Sequence, residues 1–345
     1  MIKNNRTKNL IRALIAIFVF VSVFLLCEKI LLLKSEDGIE QMRSFYKQDE
    51  NSIDVLFMGN SHGYCNINTG ILWDEYGMAA FDLGGAEQPY WNTYYFFKEA
   101  LKTQRPELIL FSASVVGINP TDHQPEVWLV TNLYGMKWNM NRIRATRVSA
   151  YEDKFFTMLF PVYTMHSRYN ELTERDFTEP NNDISYKGFD PRNGNKAFDT
   201  PDISDITEIG TLTEKEDKYL RMIFDLAKEE GIPFGVFIAP YVVNEEAQMK
   251  YNYVFSIAGE YGFPCMDFNK QYDEMGLDFQ TDMYEGLHLN YPGNEKFTKY
   301  LGQVILNEYD IPDRRGEAGY ASWEEDARKQ REDREAVLAA NSDKE

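Results

Sequence analysis

Five short apolar runs most constrain what this chain can fold into: Ile53–Met58, Ala79–Leu83, Leu108–Ala113, Phe234–Ala239 and Cys265–Phe268. Between them lie segments in which apolar residues recur at helical spacing. One stripe is Trp91, Tyr94, Tyr95 and Leu101, and a second is Tyr219, Leu220, Ile223, Phe224 and Ala227, stopped by Gly231. A third is Ala247, Tyr251, Val254, Phe255 and Ala258, and the last is Phe297, Tyr300, Leu301, Val304 and Ile305. Continuous apolar runs are strands buried on both faces, and helix-length crossovers return the chain to a parallel neighbour. The expected fold is α/β, a parallel sheet covered by helices on both faces. Reactive groups in such sheets sit past the carboxyl ends of the strands.

Residues 10–33 are apolar apart from Arg12, Ser22, Glu28 and Lys29. Snorkelling by Arg12 and Lys29, with Ile30–Leu33, brings this stretch to the length of a bilayer span. No small-x-small cleavage site follows, so it reads as an uncleaved anchor, with a cleaved signal peptide as the alternative. Lys3, Arg6, Lys8 and Arg12 assign residues 1–9 to the cytoplasm and the body to the outside. The chain carries −19; without those four cations the remainder carries −23. An acidic body of this kind excludes nucleic acid as a partner. Three cysteines, Cys27, Cys65 and Cys265, are too few for a disulfide scaffold, which leaves a Cys65–Cys265 bridge as the one pairing to consider.

Residues 34–51 form a polar connector, and 52–312 hold the strand–helix alternation. About 118–210 interrupt it with Trp128, Trp138, clustered Arg142, Arg144 and Arg147, and a Pro/Asn/Asp/Gly-rich stretch from Glu179 to Pro201. This reads as an inserted cap with long loops over the site. The arginine cluster is expected on a solvated helix face rather than at a polyanion site. Residues 313–345 are strongly charged without an apolar stripe, and are expected as a solvated helix or disorder.

Two segments carry chemistry. The first strand runs into Gly59-Asn60-Ser61-His62, and Glu285-Gly286-Leu287-His288-Leu289-Asn290 precedes the last helix. A serine needs an adjacent base to act as a nucleophile. His62 neighbours Ser61 in sequence, where side chains diverge, and His123 and His166 fall in the insertion, so His288 is the candidate base. Glu285, three residues earlier, can hold the imidazole tautomer, with Asp282 as the fallback acid. Backbone donors for an oxyanion are expected at Ser61 and Gly85, with the Asn119 side chain as a third. No histidine–carboxylate cluster has metal-ligand spacing, so neither metal nor cofactor is expected.

These motifs resemble those of the SGNH, or GDSL-like, hydrolase superfamily, over most of residues 52–308 outside the insertion. The resemblance implies a three-layer, flavodoxin-like α/β/α sandwich with Ser61 as nucleophile, His288 as base and Glu285 as orienting acid. Gly85 is similar to the family's second-block glycine and Asn119 to its third-block asparagine. Asn60 and Glu285 stand where the family usually has aspartates, and Pro120 ends a degraded third block. The run Pro161–Tyr169 resembles a segment of bacterial SGNH-like proteins, which implies substrate contact or cap support by His166 and Arg168. The anchored layout is similar to the branch that includes the D-alanyl transfer protein of teichoic acid synthesis and the alginate O-acetylation proteins. That resemblance implies an esterase or acyltransferase acting outside the membrane on acyl esters of a cell-envelope polysaccharide, beside a multispanning O-acyltransferase. The alternative is a non-catalytic glycan-binding or accessory subunit of such an acyltransferase.

Overall fold

The computed structural model describes residues 2–33, 36–114, 122–178 and 186–342. Helix α1 (Ile2–Leu31) is followed by a short α2 (Ile39–Phe45). The alternation then begins with β1 (Val55–Gly59), α3 (Ser61–Tyr64), α4 (Thr69–Tyr76), β2 (Ala80–Gly84), α5 (Tyr90–Ala100) and β3 (Leu108–Ser112). Five helices follow in the insertion: α6 (Glu126–Leu133), α7 (Met140–Ser149), α8 (Phe155–Leu159), α9 (Pro161–Met165) and α10 (Glu174–Phe177). The chain then resumes with α11 (Glu214–Glu230), β4 (Phe234–Ile238), α12 (Glu245–Glu260), β5 (Cys265–Asp267), α13 (Tyr272–Met275), α14 (Tyr291–Glu308) and α15 (Ala321–Ser342). Each expected strand is present, with ends within two residues of the apolar run that predicts it.

All four strand pairings are parallel, in the order β2-β1-β3-β4-β5. Alternate side chains feed two cores. Leu56, Met58, Ile109, Phe111 and Val236 pack with Phe96, Leu220, Phe224 and Val254 on one face. Val55, Phe57, Leu108, Leu110 and Phe237 pack with Leu72, Phe297, Leu301 and Ile305 on the other. This is the three-layer α/β/α arrangement that the apolar runs predict. The chain leaves β1 for β2 on one side and crosses back to β3 on the other. The direction of winding reverses at the carboxyl ends of β1 and β3, the edge at which open α/β sheets commonly carry their reactive groups, and residue 61 lies just past the end of β1.

Two regions differ from the sequence-based expectation. The charged segment after residue 312 contains a docked helix. Trp323 and Ala327, one turn apart on α15, are 2% and 1% exposed, and Trp323 Nε1 donates to the Ala80 carbonyl at 3.2 Å. Arg314 grips Asp54 with two bonds of 2.9 and 3.0 Å, and Arg334 pairs with Glu295 at 2.6 Å. A stripe of two small or aromatic residues is too short to stand out among so many charges. Trp323→Ala should cost about 3–5 kcal/mol in an unfolding titration, the usual range for emptying a buried tryptophan site. A loss below about 1 kcal/mol would mean that α15 adds little to the fold.

The insertion, expected as a cap over the site, divides its packing. Helix α7 packs on α5, α6 on α2, and α9 and α10 on α1. The segment after residue 186 instead borders the serine turn. The Asp190 N–H donates to the Tyr64 carbonyl at 2.8 Å, and the Lys196 N–H to the Met283 carbonyl at 2.9 Å. The three cysteines are free, with Cys65 buried and Cys265 exposed on β5, so the Cys65–Cys265 bridge is not formed.

Candidate active site

The serine turn is built by its neighbours. Gly59 has φ +144°, and a Cβ there would lie 2.7 Å from the Ser112 carbonyl oxygen, so the end of β1 approaches β3 too closely for a side chain. Asn60, buried, then brackets the two strand ends. Its Oδ1 accepts from the His62 N–H at 3.1 Å, and its Nδ2 donates to the Ser114 carbonyl. An aspartate could make only the first of these bonds. The amide thus has a reason to stand where the resembling family has an acid. Ser61, half-buried, opens α3 directly after this bracket.

The histidine segment is a closed loop pinned at its base. An isolated antiparallel bridge joins Met283 to Leu289, and the Tyr284 N–H donates to the His288 carbonyl at 3.0 Å. Leu289 is fully buried in the second core. Asn290 caps α14 through its Oδ1 to the Gly293 N–H at 3.1 Å, and its Nδ2 ties back to the Thr281 and Gly194 carbonyls at 2.8 and 3.0 Å. The His-Leu-Asn order therefore has a structural logic: the leucine anchors, the asparagine caps, and the histidine is held at the rim.

The two segments meet. The Leu289 N–H donates to Asn66 Oδ1 at 2.9 Å, and the Asn68 N–H donates to Thr298 Oγ1 at 2.9 Å. The rings of His62 and His288 lie 5.7 Å apart, which brings the His288 imidazole beside the residue that follows Ser61. His288 Nδ1 is 2.7 Å from Glu285 Oε1, while its buried Nε2 has no hydrogen-bond partner and is not bonded to Ser61. Burial lowers the His288 pKa below 6.5 against the opposing pull of Glu285; Arg192 also lowers it, and Asp37 raises it. The ring is thus held neutral near pH 7, with the Glu285 carboxylate fixing Nδ1 as the protonated nitrogen and leaving Nε2 as the acceptor.

The remaining sequence-predicted residues are placed as follows. Asp282 is buried and committed elsewhere: its Oδ2 pairs with Lys296 at 2.7 Å and accepts from the Asp278 N–H at 2.7 Å. Of the two candidate acids, the one in contact with His288 is Glu285. The Gly85 N–H points to the Gly59 carbonyl at a long 3.4 Å, and a Cβ on Gly85 would meet Asn132 Oδ1 at 2.2 Å. Asn119 lies outside the described residues. Arg168 bonds the Leu31 carbonyl at the end of α1 and pairs with Asp176 at 2.8 Å, and the exposed His166 contacts the Tyr163 carbonyl at 2.9 Å through Nδ1. Those contacts tie His166 and Arg168 to the part of the insertion that packs on α1 rather than to Ser61. His62 is buried edge-on against Tyr241 at 4.6 Å, and burial lowers its pKa to about 3, so it serves as neutral packing behind the serine.

Sequence reasoning missed a charged wall beside the pair. Arg192 bridges Asp190 and Asp37 with bonds of 2.7 Å each, and the Tyr64 hydroxyl donates to Asp37 at 3.2 Å. Burial, reinforced by Asp37, pushes the Asp190 pKa up against the pull of Arg192. Asp37 comes from the connector, Tyr64 from α3 and residues 190 and 192 from the insertion, so no local spacing could reveal the group. Gly38, at φ +90°, keeps the connector tight against Thr131 and Gly85, where a Cβ would lie 2.7 Å from the Thr131 carbonyl oxygen.

The two acids near His288 make separable predictions. Glu285→Gln should lower turnover by about 10–10³-fold with little change in stability, because it removes the group that orients the ring. Asp282→Asn should instead lower stability by about 1–3 kcal/mol through the lost Lys296 pair, while turnover per folded molecule persists. Paired kinetics and thermal melts on both variants check this, and the reverse pattern would reassign the acid.

No family model matches this chain, and no curated protein matches it. Among solved structures, it is similar to a crystal structure from Bacteroides fragilis described as a "putative acylhydrolase", at 15% identity and a TM-score of 0.34, over 76% of this chain and 90% of that one.

Proposed function

We propose that this chain is a membrane-anchored, extracytoplasmic serine esterase or O-acyltransferase of the SGNH type, acting on short-chain acyl esters of a cell-envelope glycan. The observation that carries the proposal is the His288 imidazole, held by Glu285 at Nδ1 and unpartnered at Nε2, beside the serine turn at the sheet's reversal point. Ser61 Oγ attacks the ester carbonyl carbon as His288 Nε2 takes its proton. The tetrahedral oxyanion forms near the Ser61 N–H at the head of α3, with Asn119 as a further proposed donor and Gly85 as a third once its long 3.4 Å bond to the Gly59 carbonyl is released. The carbon–oxygen bond to the alcohol then breaks as His288 returns the proton to the leaving oxygen. In a second round His288 takes a proton from water or a sugar hydroxyl as that oxygen attacks the acyl carbon, and the bond to Ser61 Oγ breaks as the proton returns to Oγ.

The anchor reading is supported by α1. Its Arg6–Leu31 stretch is one helix long and apolar enough to cross a membrane. In support of a second reading, a non-catalytic accessory subunit of a multispanning O-acyltransferase, the Gly85 N–H is engaged by Gly59. Burst kinetics separate the two. With p-nitrophenyl acetate, an acyl-enzyme gives a nitrophenolate burst stoichiometric with protein, and partitioning to an added oligosaccharide reports transfer. Absence of both burst and turnover across acetyl to butyryl esters would favour the accessory role.

A further inference from the structure

The base of α1 borders a second site of different character. A cavity of about 410 Å³ is lined by the last turns of α1, by α2 and the residues that follow it, and by residues 134–142. Five cations line it, Lys29, Arg43, Lys47, Lys137 and Arg142, against one carboxylate, Glu28. In a body that carries −23 beyond its first twelve residues, this concentration of positive charge is local and opposite in sign to the whole. Arg142 is 4% exposed, lies 4.5 Å over the Trp138 ring, donates to the Met136 carbonyl at 3.1 Å, and has an Nε with no hydrogen-bond partner. Leu25, Leu32 and Pro161 supply an apolar side to the same cavity.

Its surroundings place it at an interface. The Val162 N–H donates to Glu28 Oε1 at 2.8 Å, and Phe160 packs edge-on against Phe24 of α1 at 5.6 Å. The insertion is therefore fastened to the candidate span rather than swinging from it. Large rings are left exposed on this same part of the insertion: Phe156, Tyr163, Tyr169 and Phe177, with Trp138 at the cavity itself. Aromatic side chains prefer the headgroup layer, and basic clusters next to a spanning helix recognise anionic headgroups.

We infer that the cavity binds the phosphate of an anionic glycerophospholipid, its acyl chains lying along α1, and that α8–α10 rest on the membrane surface as a platform. The inference rests on the anchor reading of α1 but not on the chemistry of Ser61. The cations meet the phosphate, the apolar wall takes the glycerol end, and the exposed rings enter the interface.

Native mass spectrometry of the detergent-solubilised full chain, with equimolar phosphatidylglycerol and phosphatidylcholine, tests it. Phosphatidylglycerol should be retained preferentially, and Lys47→Gln/Lys137→Gln should weaken that preference roughly 30-fold, at about fivefold per charge. Lys218→Gln/Lys270→Gln, at exposed positions that do not line the cavity, should keep it. Equal retention of the two lipids, or an undiminished preference in the Lys47/Lys137 variant, would overturn the inference. Displacement of the lipid by equimolar inorganic phosphate would assign the cavity to free phosphate and also overturn it. The anchor reading fails separately, if alkaline carbonate releases the full chain from membranes.

Discussion

Ser61→Ala should abolish ester turnover, by at least about 10³-fold, while the melting transition stays close to that of the parent chain. The asymmetry follows from the surroundings of Ser61. The residue is half-buried, and the bonds that shape its turn belong to Gly59 and Asn60, not to its own hydroxyl. Removing the oxygen therefore takes away the nucleophile and little of the fold. Turnover of p-nitrophenyl acetate and a thermal melt on the same preparation measure both halves. Parent-level turnover in a folded Ser61→Ala protein would end the acyl-serine account, and loss of folding would show that the hydroxyl is structural.

His288→Gln should lower turnover by a comparable factor, about 10³–10⁴-fold, and the double variant with Ser61→Ala should be no worse than either single one, because the two act as a unit. The unsubstituted chain should show one ascending limb in kcat/KM. The base works as the neutral ring, and burial holds its pKa below 6.5, so activity should rise with pH through a midpoint below 6.5. Glu285→Gln should move that midpoint further down, since the lost carboxylate is the main group favouring the protonated ring. A midpoint well above 6.5, or one insensitive to Glu285, would place the titrating group elsewhere.

Much of this architecture is legible from local pattern. Runs such as Leu108–Ala113 and Phe234–Ala239 are apolar without alternation because both faces of each strand are covered, and burial of that kind leaves a mark in the sequence. The Gly-Asn-Ser-His turn and the Glu-x-x-His-Leu-Asn loop are legible for a related reason. A close strand approach, a cap and a buried leucine each demand a residue type at a fixed offset.

What was not legible depends on long-range contact. Asp37, Asp190 and Arg192 are joined across about 150 residues, and each looks like an ordinary loop charge in its own segment. Trp323, with Ala327, docks α15 along one narrow face of a helix otherwise rich in charge. For Arg168 the sequence leaves substrate contact and cap support both open; its guanidinium is taken by the Leu31 carbonyl and Asp176, an arrangement that requires α1 and the insertion to pack together first. Charged side chains carry no periodicity that names their partner, whereas apolar ones reveal the face they bury.

Fluorophosphonate labelling of the full chain in detergent, followed by mass mapping of the modified peptide, tests whether Ser61 is a nucleophile activated by His288. The account predicts one adduct, on Ser61, formed faster as pH rises through the His288 midpoint and lost in His288→Gln. A folded protein that stays unlabelled, or an adduct on another residue, would contradict it.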